Sequence, residues 1–209
     1  MPSASHRPAT GPWFILGHAI VSDDDRIAAA DGTMPPGLKN DADWRRFQAE
    51  LDRADLIVVG RKGHAAHPNT PRRRRLVLTS RIRGMERVPG AVGQVFLLNP
   101  ADMLIEQALE ALLPLGGRVA VTGGTRVFEA FLAVGYDGFD LVRARGVRIP
   151  GGRPLFPVCE EGVRAEAVLA REGLAPAPAA TLDRTAGVVL HPFRRQAAAG
   201  GSGRFLRCP

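Results

Sequence analysis

Apolar and polar positions along this chain fall into short blocks that alternate between two periods. Trp13 to Val21 (WFILGHAIV) is an apolar run interrupted only at His18, and reads as a buried strand. Asp55 to Val59 (DLIVV), Leu76 to Leu78 and Gln94 to Leu98 (QVFLL) repeat that signature. Between these runs the period lengthens. Trp44, Phe47 and Leu51 mark the buried face of a helix that Asn40 caps, with Asp43 three residues on giving a capping-box pattern. Met103, Leu104, Ala108, Leu109 and Leu112 mark a second helix, which Asn99-Pro100 is expected to open with proline at the first helical position. Val119 to Val121 is the next strand, the pair Gly123-Gly124 ends it, and Val127, Phe128, Phe131 and Leu132 then recur at helical spacing. Phe139 to Val142 predicts a sixth strand, Val147 to Phe156 an extended crossing segment, and Gly187 to Phe193 (GVVLHPF) a late strand. Ser22 to Leu38 reads as a long irregular loop, a length typical of lids and binding loops. Strands alternating with helices predict an α/β sheet that is mostly parallel.

Composition adds bounds. The 209 residues suit one domain, expected over residues 13–195, between a flexible lead-in (1–12) and a flexible tail (196–209). No apolar run reaches membrane-spanning length, and the first residues lack the apolar core of a signal peptide. Cys159 and Cys208 have no metal-ligand spacing, so a reduced, cytoplasmic setting is the expectation. The net charge is +7, with Lys39 and Lys62 the only lysines. With aromatics at 6% and no nucleic-acid motif, a compositional bias accounts for most of the arginines. Some of them suit a phosphate-bearing small molecule.

Ligands of parallel sheets bind beyond the carboxyl ends of the strands. Three strands here end in Gly60-Arg61-Lys62-Gly63, Thr79-Ser80-Arg81 and Thr122-Gly123-Gly124-Thr125-Arg126. A glycine pair before a helix lets backbone approach an anion such as a pyrophosphate; a plain tight turn would read the same way. Arg72 to Arg75 is expected to be a solvated loop. His18 is expected to be a core or near-site histidine rather than a ligand. His64 and His67 have a metal-like spacing but no third ligand, which argues against a metal site. Asp41 would suit the first turn of the helix dipole and a pair with Arg45, or a role at substrate.

From about Phe14 to Pro157, the order of these motifs resembles the dihydrofolate reductase superfamily, which includes the reductase domain of riboflavin biosynthesis. Met34-Pro35 resembles its mobile loop, and Asp41, seven residues after Met34 and three before Trp44, falls at its acidic position. Gly60-Arg61-Lys62 resembles its Gly-Arg turn, and Leu78-Thr79-Ser80-Arg81 the strand end at the adenosine side of NADPH. Val121 to Phe128 (VTGGTRVF) resembles its glycine-pair motif, which carries a cis Gly-Gly bond, and Pro154 to Pro157 its segment after the sixth strand. Gly63 stands where the family usually has threonine, and Pro36 where it often has tryptophan.

The resemblance implies a dihydrofolate reductase-like fold, with a mostly parallel central sheet, flanking helices and an antiparallel C-terminal edge. It implies NADPH as cofactor, held by Ala19, Gly60, Arg61, Lys62, Gly63, Leu78, Thr79, Ser80, Arg81, Thr122, Gly123, Gly124, Thr125, Arg126 and Val127. Ile20, Met34 and Asp41 would face the substrate, with Asp41 catalytic. The implied activity is hydride transfer to a pterin or related heterocycle, dihydrofolate first. Reduction of 5-amino-6-(5-phosphoribosylamino)uracil is the alternative, and a non-catalytic nucleotide- or nucleic-acid-binding protein the second alternative. The expected partner is a small heterocycle rather than nucleic acid or a membrane, with a homodimer as candidate assembly.

Overall fold

The run Trp13–Val21 forms strand β1 with the predicted bounds, in a computed structural model that describes residues 12–196. Apart from Pro12 and Gln196, the lead-in and tail expected to be flexible, and Cys208 with them, lie outside the described residues. In chain order there follow β2 (Arg26–Ala28), α1 (Asp41–Asp52), β3 (Leu56–Gly60), α2 (Arg61–Ala66), β4 (Arg75–Leu78), β5 (Met85–Arg87), β6 (Val95–Leu98) and α3 (Ile105–Leu112). Then come β7 (Gly117–Val121), α4 (Thr125–Val134), β8 (Gly138–Ala144), β9 (Arg153–Pro154), α5 (Ala165–Arg171), β10 (Leu174–Pro176), β11 (Ala180–Asp183) and β12 (Val188–Arg195).

One sheet has the order β10-β12-β8-β1-β7-β3-β4-β6-β5, with β11 also on β12. The strands from β8 across to β6 run parallel, while β5 and the C-terminal β12, β10 and β11 add antiparallel edges. Both faces of the parallel part are covered, which is why its strands read as unbroken apolar runs. Leu56, Val58, Val119 and Val121 face the core under α3, α4 and α5; Ile57 and Ala120 face Phe47 and Leu51 of α1 on the other side. Gly17 is the close approach in β1, since a Cβ there would lie 2.2 Å from the Phe139 ring. That ring packs instead among Phe128, Tyr136 and Phe156.

The pattern misplaced several features. The loop after β1 contains β2, which pairs antiparallel with β9 in a small ribbon. Asn99-Pro100 does not open α3, whose N-cap is Leu104. The Asn99 side chain is drawn to the Ile82 carbonyl and to Asp102, closing a separate turn before the helix. Trp44 is 51% exposed rather than buried. Of the arginine run, only Arg72 is the exposed loop residue expected. Arg73 bonds Asp52 and Gln48 of α1, Arg74 bonds the Leu112 carbonyl, and Arg75 is buried within β4. No helix among the described residues is long and apolar enough to cross a membrane.

Candidate functional site

The connections of the sheet locate the site before any side chain does. β1 and β3 hand the chain on to α1 and α2 on one face, whereas β7, lying between them, hands it on to α4 on the other. Adjacent strands whose connections leave on opposite faces form a topological switch point, where ligand crevices open in such sheets. At this point sit Gly60, at the end of β3, and Gly123-Gly124, at the end of β7.

The glycines interlock. The Gly60 N–H donates to the Gly123 carbonyl at 2.8 Å, and the bond between Gly123 and Gly124 is cis. Gly123 has φ +93°, and a Cβ on it would lie 2.5 Å from the Phe128 ring, so only glycine fits. Gly124 differs: its φ of −77° suits any residue, and a Cβ on it would meet only Ile27 Cδ1 of β2, at 3.9 Å. The space over Gly124 is open. Beside it, α4 begins at Thr125, and the first N–H groups of a helix have no intrahelical acceptor. Val127 is buried and would touch a Cβ on Gly60 at 3.3 Å.

The other expected cofactor residues flank this core unevenly. The β1–β7 pairing ends at Gly17 and Val121, two residues before Ala19 and Gly123 respectively, while Arg61 is half-buried as the first residue of α2. Lys62 is exposed and Gly63 half-buried on the same helix. Leu78 is buried, and Thr79, Ser80 and Arg81 continue from β4 next to β3, with the Arg81 N–H bonded to Thr79 Oγ1 at 3.3 Å. Two hydroxyls are committed within the protein: Thr122 donates to the Val58 carbonyl at 3.0 Å, and Thr125 donates to the Pro154 carbonyl. Arg126 points to the surface and pairs with Glu129 at 2.9 Å.

On the α1 face the acidic residues separate. The Asn40 side chain accepts from the Ala42 and Asp43 N–H groups and so starts α1. Asp41, the first helical residue, is exposed, as is Met34 on the loop before it. Asp43 is turned inward, and burial raises its carboxyl to about 6, with Arg46 opposing the shift. Sequence reasoning used Asp43 only as a cap, although Asp43, Phe47 and Leu51 are spaced to share one helix face. Phe47 meets the His18 ring edge-on at 6.0 Å. His18 is level with Asp140, and Ile20 with Val142, along β1 and β8. Burial holds His18 down to about 4, so its ring is neutral; its Nδ1 lies 3.7 Å from Asp140, without a hydrogen bond. Asp140 itself is gripped by Arg46 and by Arg194. The His64 Nδ1 faces Arg75, as an acceptor, so that lone pair is not offered to a metal.

No family profile and no curated protein matches the chain. Solved structures do. A protein described as a riboflavin biosynthesis protein, from Shewanella sp. PV-4, aligns with a TM-score of 0.59 at 18% identity, over 88% of this chain and 99% of that one. Dihydrofolate reductase from Enterococcus faecalis, complexed with NADP(H) and RAB-propyl, aligns with a TM-score of 0.59 at 16% identity, over 88% of this chain and 97% of that one. Together with the sheet order and its antiparallel C-terminal edge, these similarities establish that the chain has the dihydrofolate reductase-like fold.

Proposed function

We propose that this protein is an NADPH-dependent reductase of a small heterocycle, dihydrofolate first among the candidates. The observation that carries the reading is the switch point at β7, where interlocked glycines leave Gly124 open beside the start of α4. A dinucleotide fits that chemistry. Its pyrophosphate would lie against Gly124 and the first N–H groups of α4, where backbone donors and the helix dipole favour an anion. Arg61, Lys62, Thr79, Ser80 and Arg81 offer charge and hydroxyls on the β3–β4 side, suited to the ribose 2′-phosphate that distinguishes NADPH from NADH. Ala19 and Ile20 would line the route between cofactor and substrate.

The chemistry supplied by the bound nicotinamide is hydride transfer. The protein would orient the acceptor carbon, exclude water and manage the accompanying proton. For that proton we take Asp43, the partly buried carboxyl one helical turn before Phe47 on α1, which burial raises to about 6, toward the range suited to delivering a proton to a ring nitrogen beside the carbon receiving hydride. Asp41 lies two residues away at the exposed rim, where it could hold an amino-pyrimidine edge at the entrance.

The test is NADPH oxidation followed with dihydrofolate and with 5-amino-6-(5-phosphoribosylamino)uracil as acceptors, beside a direct NADPH titration. Turnover of dihydrofolate supports the reading as stated. Turnover of the uracil alone moves the substrate to the riboflavin precursor. Absence of NADPH binding refutes the reductase and leaves a non-catalytic binding protein.

A further inference from the structure

The helix that carries Arg61 and Lys62 cannot hold itself in place. α2 has six residues, too few to be stable alone in water, and none of them is buried. What reaches it is Arg75 of β4, a residue only 9% exposed. Its Nη1 donates to the carbonyl of His67, the residue that ends α2, at 2.8 Å, and meets Nδ1 of His64 at 3.2 Å. Arginine has no acceptor, so the second contact exists only while His64 is neutral, with its proton on Nε2.

The surroundings favour that form. Burial and then the charge of Arg75 hold the His64 ring below the ordinary histidine value. Arg73, two residues before Arg75, adds positive charge around it, although Arg73 is itself paired with Asp52 of α1 at 2.6 Å. On α2 itself, Arg61 lies one turn before His64, Lys62 two residues before it, and His67 one turn after, with its ring 6.4 Å from Trp44 of α1. Protonating His64 would bring two cations together and cancel one of the two bonds that Arg75 makes to this segment.

We propose that Arg75 and His64 form a lock that positions α2, and that protonation of His64 opens it and displaces Arg61 and Lys62 from the cofactor site. The second half of that statement rests on the NADPH reading above; the lock does not. His64 acts through the helix and is a positioning residue, not a catalytic one.

Two measurements on the full chain separate the parts. In the ligand-free protein, histidine nitrogen NMR from about pH 5 to about pH 8 reads the His64 tautomer and titration, and hydrogen exchange reads the amides of α2. The lock requires the Nε2–H tautomer, a depressed titration, and loss of α2 protection as His64 protonates. His64→Gln keeps an acceptor for Arg75 without a titrating ring and should hold its protection throughout. An Nδ1–H tautomer, or equal pH dependence of α2 protection in wild type and His64→Gln, overturns the lock. NADPH titration over the same range then tests the consequence: wild-type affinity should fall in acid by about tenfold more than that of His64→Gln, a loss equivalent to one charged hydrogen bond. The variant's own profile accounts for titration of the 2′-phosphate. Parallel profiles overturn the coupling to cofactor, and an intact lock with no NADPH binding at any pH overturns the cofactor reading alone.

Discussion

Gly123 and Gly124 are adjacent glycines that should fail in opposite ways when given a methyl group. At Gly123 the methyl would need φ +93° and would sit 2.5 Å from the Phe128 ring, which is buried among Phe139 and Phe156. Positive φ on a non-glycine residue costs about 1–3 kcal/mol, and forcing a packed ring aside costs a further 1–3 or so. Gly123→Ala should therefore destabilise the fold by about 3 kcal/mol, which lowers the melting temperature of a domain this size by roughly 6–12 °C. At Gly124 the backbone is already extended, and the nearest atom to a new methyl is Ile27 Cδ1 at 3.9 Å. Gly124→Ala should leave stability within about 0.5 kcal/mol, because nothing in the protein opposes it. A cofactor would. If a pyrophosphate lies against that backbone, one methyl removes the close approach, and NADPH affinity should drop by at least about 100-fold. Urea denaturation and fluorescence titration of both variants decide the matter. A folded Gly124→Ala protein with wild-type NADPH affinity would show that the pair is only a turn. Equal destabilisation by both substitutions would refute the packing argument itself.

Other outcomes follow from the same geometry. NADPH should bind more tightly than NADH, and Arg81→Ala should weaken NADPH by about tenfold while leaving NADH unchanged, as expected for one charge-assisted bond to the 2′-phosphate; fluorescence titration of both cofactors checks this, and equal binding of the two would refute it. His18 has a folded pKa of about 4 against an ordinary 6.5, so the unfolded chain takes up its proton first as pH falls. Stability should thus decline from about pH 6.5 to about pH 4, by up to about 3 kcal/mol, and urea midpoints should show a shallower decline in His18→Gln. Asp43 has the opposite sign: its carboxyl, raised to about 6 from 3.8, costs stability above pH 6, and the cost is gone below 3.8. Asp43→Asn should be more stable than wild type at about pH 8, by up to about 3 kcal/mol, and should lose turnover by at least about 100-fold. Asp41→Asn should change stability little; turnover unaffected by Asp43→Asn but lost in Asp41→Asn would reverse their roles.

The parallel core was legible because burial on both faces leaves an unbroken apolar mark, as in β1 and in β7 with α4. The β2–β9 ribbon left no mark. Arg26, Ala28, Arg153 and Pro154 carry no alternation, and the ribbon is fixed by distant bonds, such as Leu155 N–H to the Asp25 carbonyl and Ile149 N–H to the Asp24 carboxylate. The arginine run was opaque for a related reason. Charge read along a chain does not reveal that Asp52, Gln48, the Leu112 carbonyl and His67 are waiting across the fold.

Helix α1 shows how a small error of phase redistributes chemistry. Taking Trp44 with Phe47 and Leu51 as the buried face also favours Asp41, one turn before Trp44. The structure turns the helix so that Asp43, Phe47 and Leu51 share the inward face instead, and Trp44 and Asp41 are exposed. One residue is about 100° of helix, so the exposed tryptophan and the inward second carboxylate have one cause. Periodicity alone does not choose between the two phases, because tryptophan outweighs aspartate in any apolar count. What chooses is tertiary: Phe47 must reach His18, and Arg46 must reach Asp140, which together fix the rotation of α1 over β1 and β8. The identity of the inward carboxylate is therefore set by a buried histidine and a buried aspartate that lie outside the helix altogether.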